Sequence, residues 1–263
     1  MKTLGVKQFQ QKKFKLLPLE GSPFEGVLGR VTRNFIAVVS GFSGNGKTEF
    51  CIQLAKELAK FGKVGWLSYE QRHGFDLQEA INRNNMEEVS GKFIPIDPLD
   101  KLKPDITLLE DMDEYLSKRG SPEFIFIDSL DYTGFTWDDY LFLKNKYGHK
   151  KTFIFIAHST KTGKLKKAIS ERIVFDGGMN IWVHQYIARP EKNRFGGFEP
   201  YVVYEKRAKL LNPAFFSKKK GRKGKGVSPQ MTLTLGGNDA QNSDEGEGVY
   251  AENQTKKTGN DTD

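Results

Sequence analysis

The sequence has little cysteine and no long apolar stretch. Its 263 residues include one cysteine, Cys51, so no disulfide can form within the chain and a reducing, cytoplasmic setting is expected. No apolar run approaches the roughly 18–20 residues that a membrane-spanning helix needs. The basic first residues lack the apolar stretch and cleavage site of a secretion signal. We therefore expect a cytoplasmic protein with no membrane partner.

Apolar residues are scarce overall, at 37% of the chain, and the mean hydropathy is −0.56. The length is sufficient for one sizeable α/β domain, with some sequence left outside its core. Lys and Arg (41) outnumber Asp and Glu (33), which gives a net charge of +8. This charge favours a polyanionic partner, although a basic surface can also serve only solubility.

Apolar and amphipathic segments alternate in the order expected of an α/β fold. Apolar, β-branched segments predict strands at residues 34–40, 64–68, 92–96, 124–128, 152–157 and 181–188. Helical periodicity predicts helices at residues 47–60, 106–119 and 136–147. The alternation indicates a mostly parallel, crossover-connected sheet. A turn at 192–197 and a short strand at 201–204 predict a hairpin near the end of the domain.

Composition divides the chain into four parts. Residues 1–28 are basic and then turn-rich, which predicts a basic N-terminal arm, and residues 29–216 hold the predicted domain. Residues 217–235 contain the run KKKGRKGK and are predicted to be a basic linker. Residues 236–263 form a polar, acidic tail that cannot bury enough apolar surface to offset its ordering entropy, so disorder is expected there.

The segment GFSGNGKT matches the phosphate-binding pattern G-x-x-x-x-G-K-[ST] between a predicted strand and a predicted helix. Glycines let successive backbone N–H groups turn toward a phosphate, and the helix N-terminus adds its positive dipole end. The lysine of the motif neutralises phosphate oxygens, and its threonine hydroxyl binds Mg²⁺. The pattern predicts binding of ATP and Mg²⁺ by Gly41, Phe42, Ser43, Gly44, Asn45, Gly46, Lys47 and Thr48.

Acidic residues follow two of the other predicted strands. In FIFIDS, Asp128 ends a buried strand, where a carboxylate can hold Mg²⁺ together with Thr48, although an aspartate there can also cap a turn. Glu70 follows the strand VGWLS and is the candidate base that aligns the attacking water. Asp131 competes for that role, and a solvated loop glutamate is the alternative for Glu70.

A third strand tip is polar in FIFIAHST. His158 and Ser159 leave the predicted strand at the same sheet edge, where they could hydrogen-bond the γ-phosphate or the attacking water. The alternative for His158 is a structural histidine whose hydrogen bonds are satisfied inside the protein.

Four segments in order, GFSGNGKT, LSYE, FIFIDS and PEKNRFGG, resemble the RecA-like ATPases, and among them the ATPase domain of DnaB-type helicases and their KaiC/RadA-like relatives. The resemblance covers about residues 29–216. It implies an α/β, three-layer RecA-like P-loop NTPase with a mostly parallel sheet and a C-terminal β-hairpin. It also implies that Glu70 is the catalytic glutamate, since this group carries that residue after the second strand.

The most specific part of the resemblance is KNRFGG. In DnaB-like proteins such a turn reaches into the nucleotide site of the neighbouring subunit, which implies that Lys192 and Arg194 act in trans on the γ-phosphate. A homo-oligomeric ring or filament would follow. The chain departs from the pattern at Ala157, His158 and Ser159, where DnaB-type helicases usually have Gln. The resemblance suggests a DnaB-like helicase of a phage or mobile element.

In a RecA-like ring, the loops after the strands that end here at Asp128 and His158 face the central channel, where nucleic acid passes. Here they are residues 131–136, with Phe135 able to stack on a base, and residues 159–170. The second loop predicts contacts with single-stranded DNA through Lys161, Lys164, Lys166 and Lys167, although a solvated basic helix start is the alternative. Other replication or recombination proteins are possible partners. Recombination-type or regulatory assembly ATPases that recruit proteins without unwinding DNA remain open, and a small-molecule kinase is a weaker option.

Overall fold

A computed structural model of the protein describes residues 1–217. These residues form an eight-stranded sheet. The strands are β1 (Ile36–Gly41), β2 (Val64–Ser68), β3 (Phe93–Ile96), β4 (Phe124–Asp128), β5 (Thr152–His158), β6 (Met179–His184), β7 (Ile187–Asn193) and β8 (Tyr201–Val202). The predicted acidic tail, and all of the predicted basic linker except Ser217, lie outside the described residues.

The strand order is β3-β2-β4-β5-β1-β6-β7-β8. The first six strands run parallel, whereas β7 pairs antiparallel with β6 and β8 antiparallel with β7. Strands β1, β2 and β4 are buried along their whole length, which is why their sequences are continuously apolar rather than alternating. The predicted mostly parallel α/β sheet with a hairpin at its C-terminal side is confirmed.

Helices cover both faces of the sheet. They are α1 (Val6–Gln10), α2 (Glu25–Leu28), α3 (Lys47–Leu58), α4 (Phe75–Arg83), α5 (Leu108–Ser117), α6 (Leu130–Thr133), α7 (Trp137–Tyr147), α8 (Ala168–Gly177), α9 (Glu205–Leu211) and α10 (Pro213–Ser217), with a 3₁₀ turn at Met86–Val89. One core packs α3 and α4 against the sheet, and a second core packs α5, α7 and α8 against the other face. The result is a three-layer domain. Within residues 1–217, no helix is long and apolar enough to cross a membrane.

Two predicted helices start slightly later than their apolar pattern suggested. The hydroxyls of Thr107 and Thr136 accept the backbone N–H of Glu110 and Asp139, and these two carboxylates bond back to the threonine N–H groups. Each threonine is therefore the N-cap of a capping box and not the first helical residue.

The prediction of one strand over residues 181–188 is wrong. The chain turns at Gln185 and Tyr186, which have positive φ angles of 49° and 60°, and β7 returns antiparallel to β6. The turn lacks the Gly, Asn or Asp that usually marks such positions, so no local pattern indicates it. The predicted turn at 192–197 is corrected accordingly, because Lys192 and Asn193 still belong to β7.

The second half of the predicted N-terminal arm packs into the domain instead of projecting from it. Leu17, Leu19, Phe24, Val27 and Leu28 are all buried in the core on the α3 side. The backbone N–H of Leu17 also donates to the carbonyl of Val31 at 3.0 Å. The turn-rich composition of this segment thus reflects a winding path over the core.

Candidate nucleotide-binding and hydrolysis site

The loop between β1 and α3 has the close backbone packing that its glycines permit. Gly46 has a φ angle of 92°, in the left-handed region that favours glycine. A Cβ on Gly41 would lie 2.4 Å from the carbonyl oxygen of Val183, and one on Gly46 would lie 2.8 Å from the ring of Tyr186. Gly44, also at positive φ, has open space around it. The loop can therefore approach a phosphate closely through its backbone.

Lys47 is the first residue of α3 and is only 8% exposed. Its Nζ donates to the carbonyl of Phe42 in the same loop at 3.3 Å. Burial lowers the pKa of Lys47, while the carboxylates of Glu70 and Asp128 act in the opposite direction. Thr48 follows in the first turn of the helix and is partly buried. Both side chains stand where the helix N-terminus favours an anion.

Asp128 lies at the carboxyl end of β4 and is 2% exposed. Burial, and then the charge of Glu70, raise its pKa to about 7. Its Oδ2 atom is buried without a hydrogen-bond partner in the described part of the chain. An orphaned carboxylate oxygen beside Lys47 suits Mg²⁺, which is usually bound by one or two carboxylates together with substrate phosphates. Residues 1–217 contain no cluster of three or more His, Cys, Asp or Glu that could hold a metal ion.

Glu70 and His158 meet across the sheet edge. Glu70 Oε2 and His158 Nε2 are 3.0 Å apart, and the backbone N–H of Glu70 donates to the carbonyl of Asp128 at 3.0 Å. The hydrogen bond from His158 lowers the pKa of Glu70. Glu70 therefore stands ionised beside Asp128 and Lys47, which is the state a water-orienting base requires.

Asp131, the competing candidate base, has a different environment. Its Oδ2 accepts the backbone N–H of His158 at 2.8 Å, and its carbonyl accepts Lys167 Nζ at 2.7 Å. Asp131 thus fastens the tip of β5 to α6. This arrangement favours Glu70 for the base.

The basic loop, residues 159–167, joins β5 to α8 and lies against the phosphate-binding loop. Lys161 Nζ is 5.6 Å from the centre of the Phe42 ring, within the range of a cation–π contact. Lys161, Lys164, Lys166 and Lys167 are all exposed. The suggestion that Phe135 stacks on a base is wrong, because Phe135 is 8% exposed and packs against Tyr69 in the core.

No protein-family profile matches this sequence, and no curated protein matches it either. The structure is similar to the KaiC-like protein PH0186 from the hyperthermophilic archaeon Pyrococcus horikoshii OT3, with a TM-score of 0.51 and 15% identity over 72% of this chain and 94% of that one. The fold is RecA-like. The flagellar accessory protein FlaH from Methanocaldococcus jannaschii also matches, with a TM-score of 0.48 and 18% identity over 72% of this chain and 97% of FlaH.

Lys192 and Arg194 lie at the opposite end of this RecA-like sheet from the phosphate-binding loop. Because β7 runs antiparallel to β6, its last residues return to the amino end of the parallel strands. Lys192 Nζ donates to the carbonyls of Val174 and Phe175 at 2.9 Å, and Arg194 Nη2 donates to Phe175 at 3.3 Å. Neither side chain joins the site of its own chain. Their role in a neighbouring subunit stays a prediction.

Sequence reasoning missed the β6–β7 turn as part of the site. Asn45 of the phosphate-binding loop accepts the N–H of Gln185 through Oδ1 at 2.7 Å and the N–H of Tyr186 through its carbonyl at 3.0 Å. The Tyr186 ring is thereby held beside Gly46, with the Arg207 guanidinium 5.7 Å from its centre. The contact joins residues 140 positions apart, so no local pattern could reveal it.

A cavity beside the N-terminal segment is not this site. It has a volume of about 640 Å³ and lies between residues 16–30 and 196–201. Glu20, Glu25 and Glu199 line it. Three carboxylates repel a polyphosphate, so the cavity does not fit a nucleotide.

Proposed function

We propose that the protein is an ATP-hydrolysing, RecA-like ATPase that acts on single-stranded DNA. One observation carries this proposal: the phosphate-binding loop and the basic loop occupy the same sheet edge and touch through Phe42 and Lys161. A ligand on either loop therefore changes the surroundings of the other. Such a contact offers a route by which ATP binding and DNA binding could influence each other.

The hydrolytic part of the proposal rests on five side chains. Lys47 would neutralise the phosphates, while Thr48 and Asp128 would hold Mg²⁺, which supplies charge stabilisation at the phosphoryl group when bound. Glu70 would orient the attacking water and accept its proton. His158, hydrogen-bonded to Glu70 at 3.0 Å, fixes the direction of that carboxylate.

The DNA-binding part rests on charge. None of Lys161, Lys164, Lys166 and Lys167 forms a salt bridge to a carboxylate of residues 1–217. Exposed lysines without a carboxylate partner can replace the counterions of a phosphate backbone, although Lys167 would first give up its hydrogen bond to the Asp131 carbonyl. Binding through them should weaken steeply as the salt concentration rises.

The finer form of the proposal is a DnaB-like helicase of a phage or mobile element that works as a homo-oligomeric ring or filament. The sequence resemblance at KNRFGG supports it, with Lys192 and Arg194 serving the next subunit. Because both residues are remote from their own phosphate-binding loop, this role would require the nucleotide of a neighbouring subunit.

The test is the rate of ATP hydrolysis with and without single-stranded DNA at fixed salt. We expect DNA to stimulate the unaltered protein and to have no effect when Lys161, Lys164, Lys166 and Lys167 are changed to Gln. The matched control neutralises Lys63, Lys92, Lys118 and Lys150, four exposed lysines that precede parallel strands at the opposite sheet edge. It removes the same charge and should keep the stimulation.

If DNA does not change the rate of ATP hydrolysis and the protein does not bind DNA at moderate salt, the DNA part of the proposal is wrong. That outcome would favour the regulatory alternative, in which nucleotide-dependent assembly recruits other proteins. Loss of stimulation in both lysine variants would show that net charge, rather than the basic loop, is responsible.

A further inference from the structure

We propose that Trp182 is the base-stacking residue of the DNA surface and that the basic loop covers it when no DNA is bound. The inference rests on the proposed action on single-stranded DNA. It supplies the aromatic contact that Phe135, buried in the core, does not provide.

Trp182 and His184 share one face of β6, since side chains two apart on a strand point the same way. Their rings are stacked, with centres 4.7 Å apart and planes inclined by 16°. Both are partly buried, unlike Ile181 and Val183, which point into the core on the other face. The stacked pair is thus a flat aromatic surface on the α8 side of the sheet, outside the main cores.

The basic loop lies directly on this surface. Gly163 has a φ angle of 94°, and a Cβ there would lie 3.3 Å from the indole Cε2 of Trp182. Trp182 Nε1, and Nδ1 of the stacked His184, are buried and have no hydrogen-bond partner in the described part of the chain. The loop therefore packs on the indole without satisfying its Nε1–H, and a ligand that displaces the loop gains both a stacking surface and a hydrogen-bond donor.

The charges around the rings match a nucleic-acid backbone. Lys161 and Lys164 flank Gly163 in the loop, and Arg189 pairs with Trp182 across the β6–β7 ladder. None of these three cations forms a salt bridge within residues 1–217. Proteins bind single strands with aromatic rings that stack on the bases and with nearby cations that contact the phosphates.

Tyr132 is the competing aromatic residue at this edge. It is 58% exposed, and its ring meets His158 edge-on at 6.3 Å. It lies on α6, however, and not on the strand face against which Gly163 of the basic loop packs. We favour Trp182 because the loop that carries Lys161 and Lys164 sits on its indole ring.

The experiment compares two fluorescein-labelled probes, oligothymidylate and an abasic oligonucleotide of equal length, which share a phosphate backbone but differ in bases. Affinities are measured by fluorescence anisotropy at fixed salt with a non-hydrolysable ATP analogue. Trp182→Ala should weaken oligothymidylate binding by about 5- to 150-fold, the range for loss of one stacked base, and leave abasic binding unchanged. Changing the four loop lysines to Gln should weaken both probes.

Trp182→Phe, which keeps an aromatic ring, should restore most of the affinity, and Tyr132→Ala is the matched control. A second readout does not depend on the alanine variant being folded. Oligothymidylate should quench tryptophan emission in Trp137→Phe and not in the double variant Trp137→Phe/Trp182→Phe, because the remaining Trp66 is fully buried.

Equal weakening of both probes by Trp182→Ala, no weakening, or quenching that survives in Trp137→Phe/Trp182→Phe would each overturn the role of Trp182 and leave the proposed DNA function standing. If the unaltered protein binds neither probe, the proposed function fails first, and the inference fails with it.

Discussion

The sheet has a carboxyl edge, where the parallel strands end, and an amino edge, where they begin. Charged side chains at the two edges differ in whether they have partners within the chain. At the carboxyl edge, Asp128 keeps an unpaired buried oxygen, and Lys47 donates only a long hydrogen bond of 3.3 Å to its own loop. At the amino edge, charges are already paired: Arg33 bonds Glu123, and Lys151 Nζ donates to the carbonyl of Pro122 at 2.7 Å. The carboxyl edge is therefore prepared for a charged ligand, and the amino edge is largely satisfied by the chain itself.

Lys192 and Arg194 lie at the amino edge and, like the other charged residues there, have hydrogen-bond partners within the chain. Their donors are bonded to the last carbonyls of α8, a favourable place for cations because a helix C-terminus is electronegative. A trans role at a neighbour's phosphate would require them to exchange these carbonyls for a stronger, doubly charged acceptor. The difference between the edges can therefore be tested. Residues at the carboxyl edge should contribute to ATP hydrolysis in their own chain, and Lys192 and Arg194 at the amino edge only to hydrolysis in a neighbouring subunit.

Replacing Arg194 should give the largest effect. If it acts in trans, Arg194→Ala lowers kcat by about 10³- to 10⁵-fold, the range for loss of such a finger. Lys47→Ala should also be inactive, because the phosphate-binding loop loses its cation. Mixing the two inactive proteins should restore hydrolysis, since an intact loop in one protomer then meets an intact Arg194 in the next.

The control for this experiment is Arg119→Ala, which removes an exposed arginine that forms no salt bridge in residues 1–217. It should leave hydrolysis intact. Activity that depends only on each chain's own residues, with no recovery on mixing, would contradict the trans role and leave both residues as caps of α8.

Glu70→Gln tests the carboxyl edge itself. Gln keeps the size of the side chain but cannot accept the proton of the attacking water, so kcat should fall by about 10²- to 10⁴-fold. ATP should still bind, because the phosphate-binding loop is unchanged. Hydrolysis under saturating ATP and equilibrium binding of a fluorescent ATP analogue separate the two effects. The control is Glu87→Gln, an exposed glutamate outside the site. Equal losses of binding and turnover would argue for a structural role of Glu70.

The fold could be predicted because its information is local. Strands β2 and β4 coincide with the predicted segments 64–68 and 124–128, since parallel strands buried on both faces must be continuously apolar. The β6–β7 turn could not be predicted. Gln185 and Tyr186 adopt positive φ angles that their side chains disfavour, and distant contacts to Asn45 hold them there.

The site shows the same division. Glu70, Asp128 and His158 were predicted from strand tips, because parallel strands present their carboxyl ends at one edge, and the structure brings the three together. Sequence could not reveal that Phe135 is buried or that Trp182 lies beneath the basic loop. Those facts depend on the direction of a side chain and on packing between segments far apart in the chain.

Tyr186 offers a smaller test of the carboxyl edge. Its ring lies beside Gly46, so we expect the nucleotide base to use it as a stacking surface, and Tyr186→Ala should weaken ATP binding by about 5- to 150-fold. Inorganic tripolyphosphate has no base, so its competition for the site should be unaffected. Tyr186→Phe should bind ATP nearly as well as the unaltered protein. Equal weakening of ATP and tripolyphosphate would instead show that Tyr186 only supports the loop.

The smallest effect concerns stability and reverses sign when ligand binds. The pKa of Asp128 is raised to about 7, so this carboxyl is protonated in the folded chain at pH values where it is ionised in the unfolded chain. Its contribution to the free energy of unfolding therefore falls as the pH rises from about 4 to about 7, and the full penalty remains above that range. Asp128→Asn is neutral at every pH and avoids the penalty.

Without nucleotide and with a chelator present, Asp128→Asn should therefore melt higher than the unaltered protein at pH 8 and nearly equally at pH 4. Each 1 kcal/mol corresponds to roughly 2–4 °C for a domain of this size. With Mg²⁺ and a non-hydrolysable ATP analogue, the unaltered protein should gain more, because only the carboxylate can hold the metal. Asp138→Asn, an exposed control, should change neither melting profile. If Asp128→Asn is instead less stable than the unaltered protein at pH 8 without ligand, ionised Asp128 does not destabilise the fold. The difference between the two edges would then lose its physical basis.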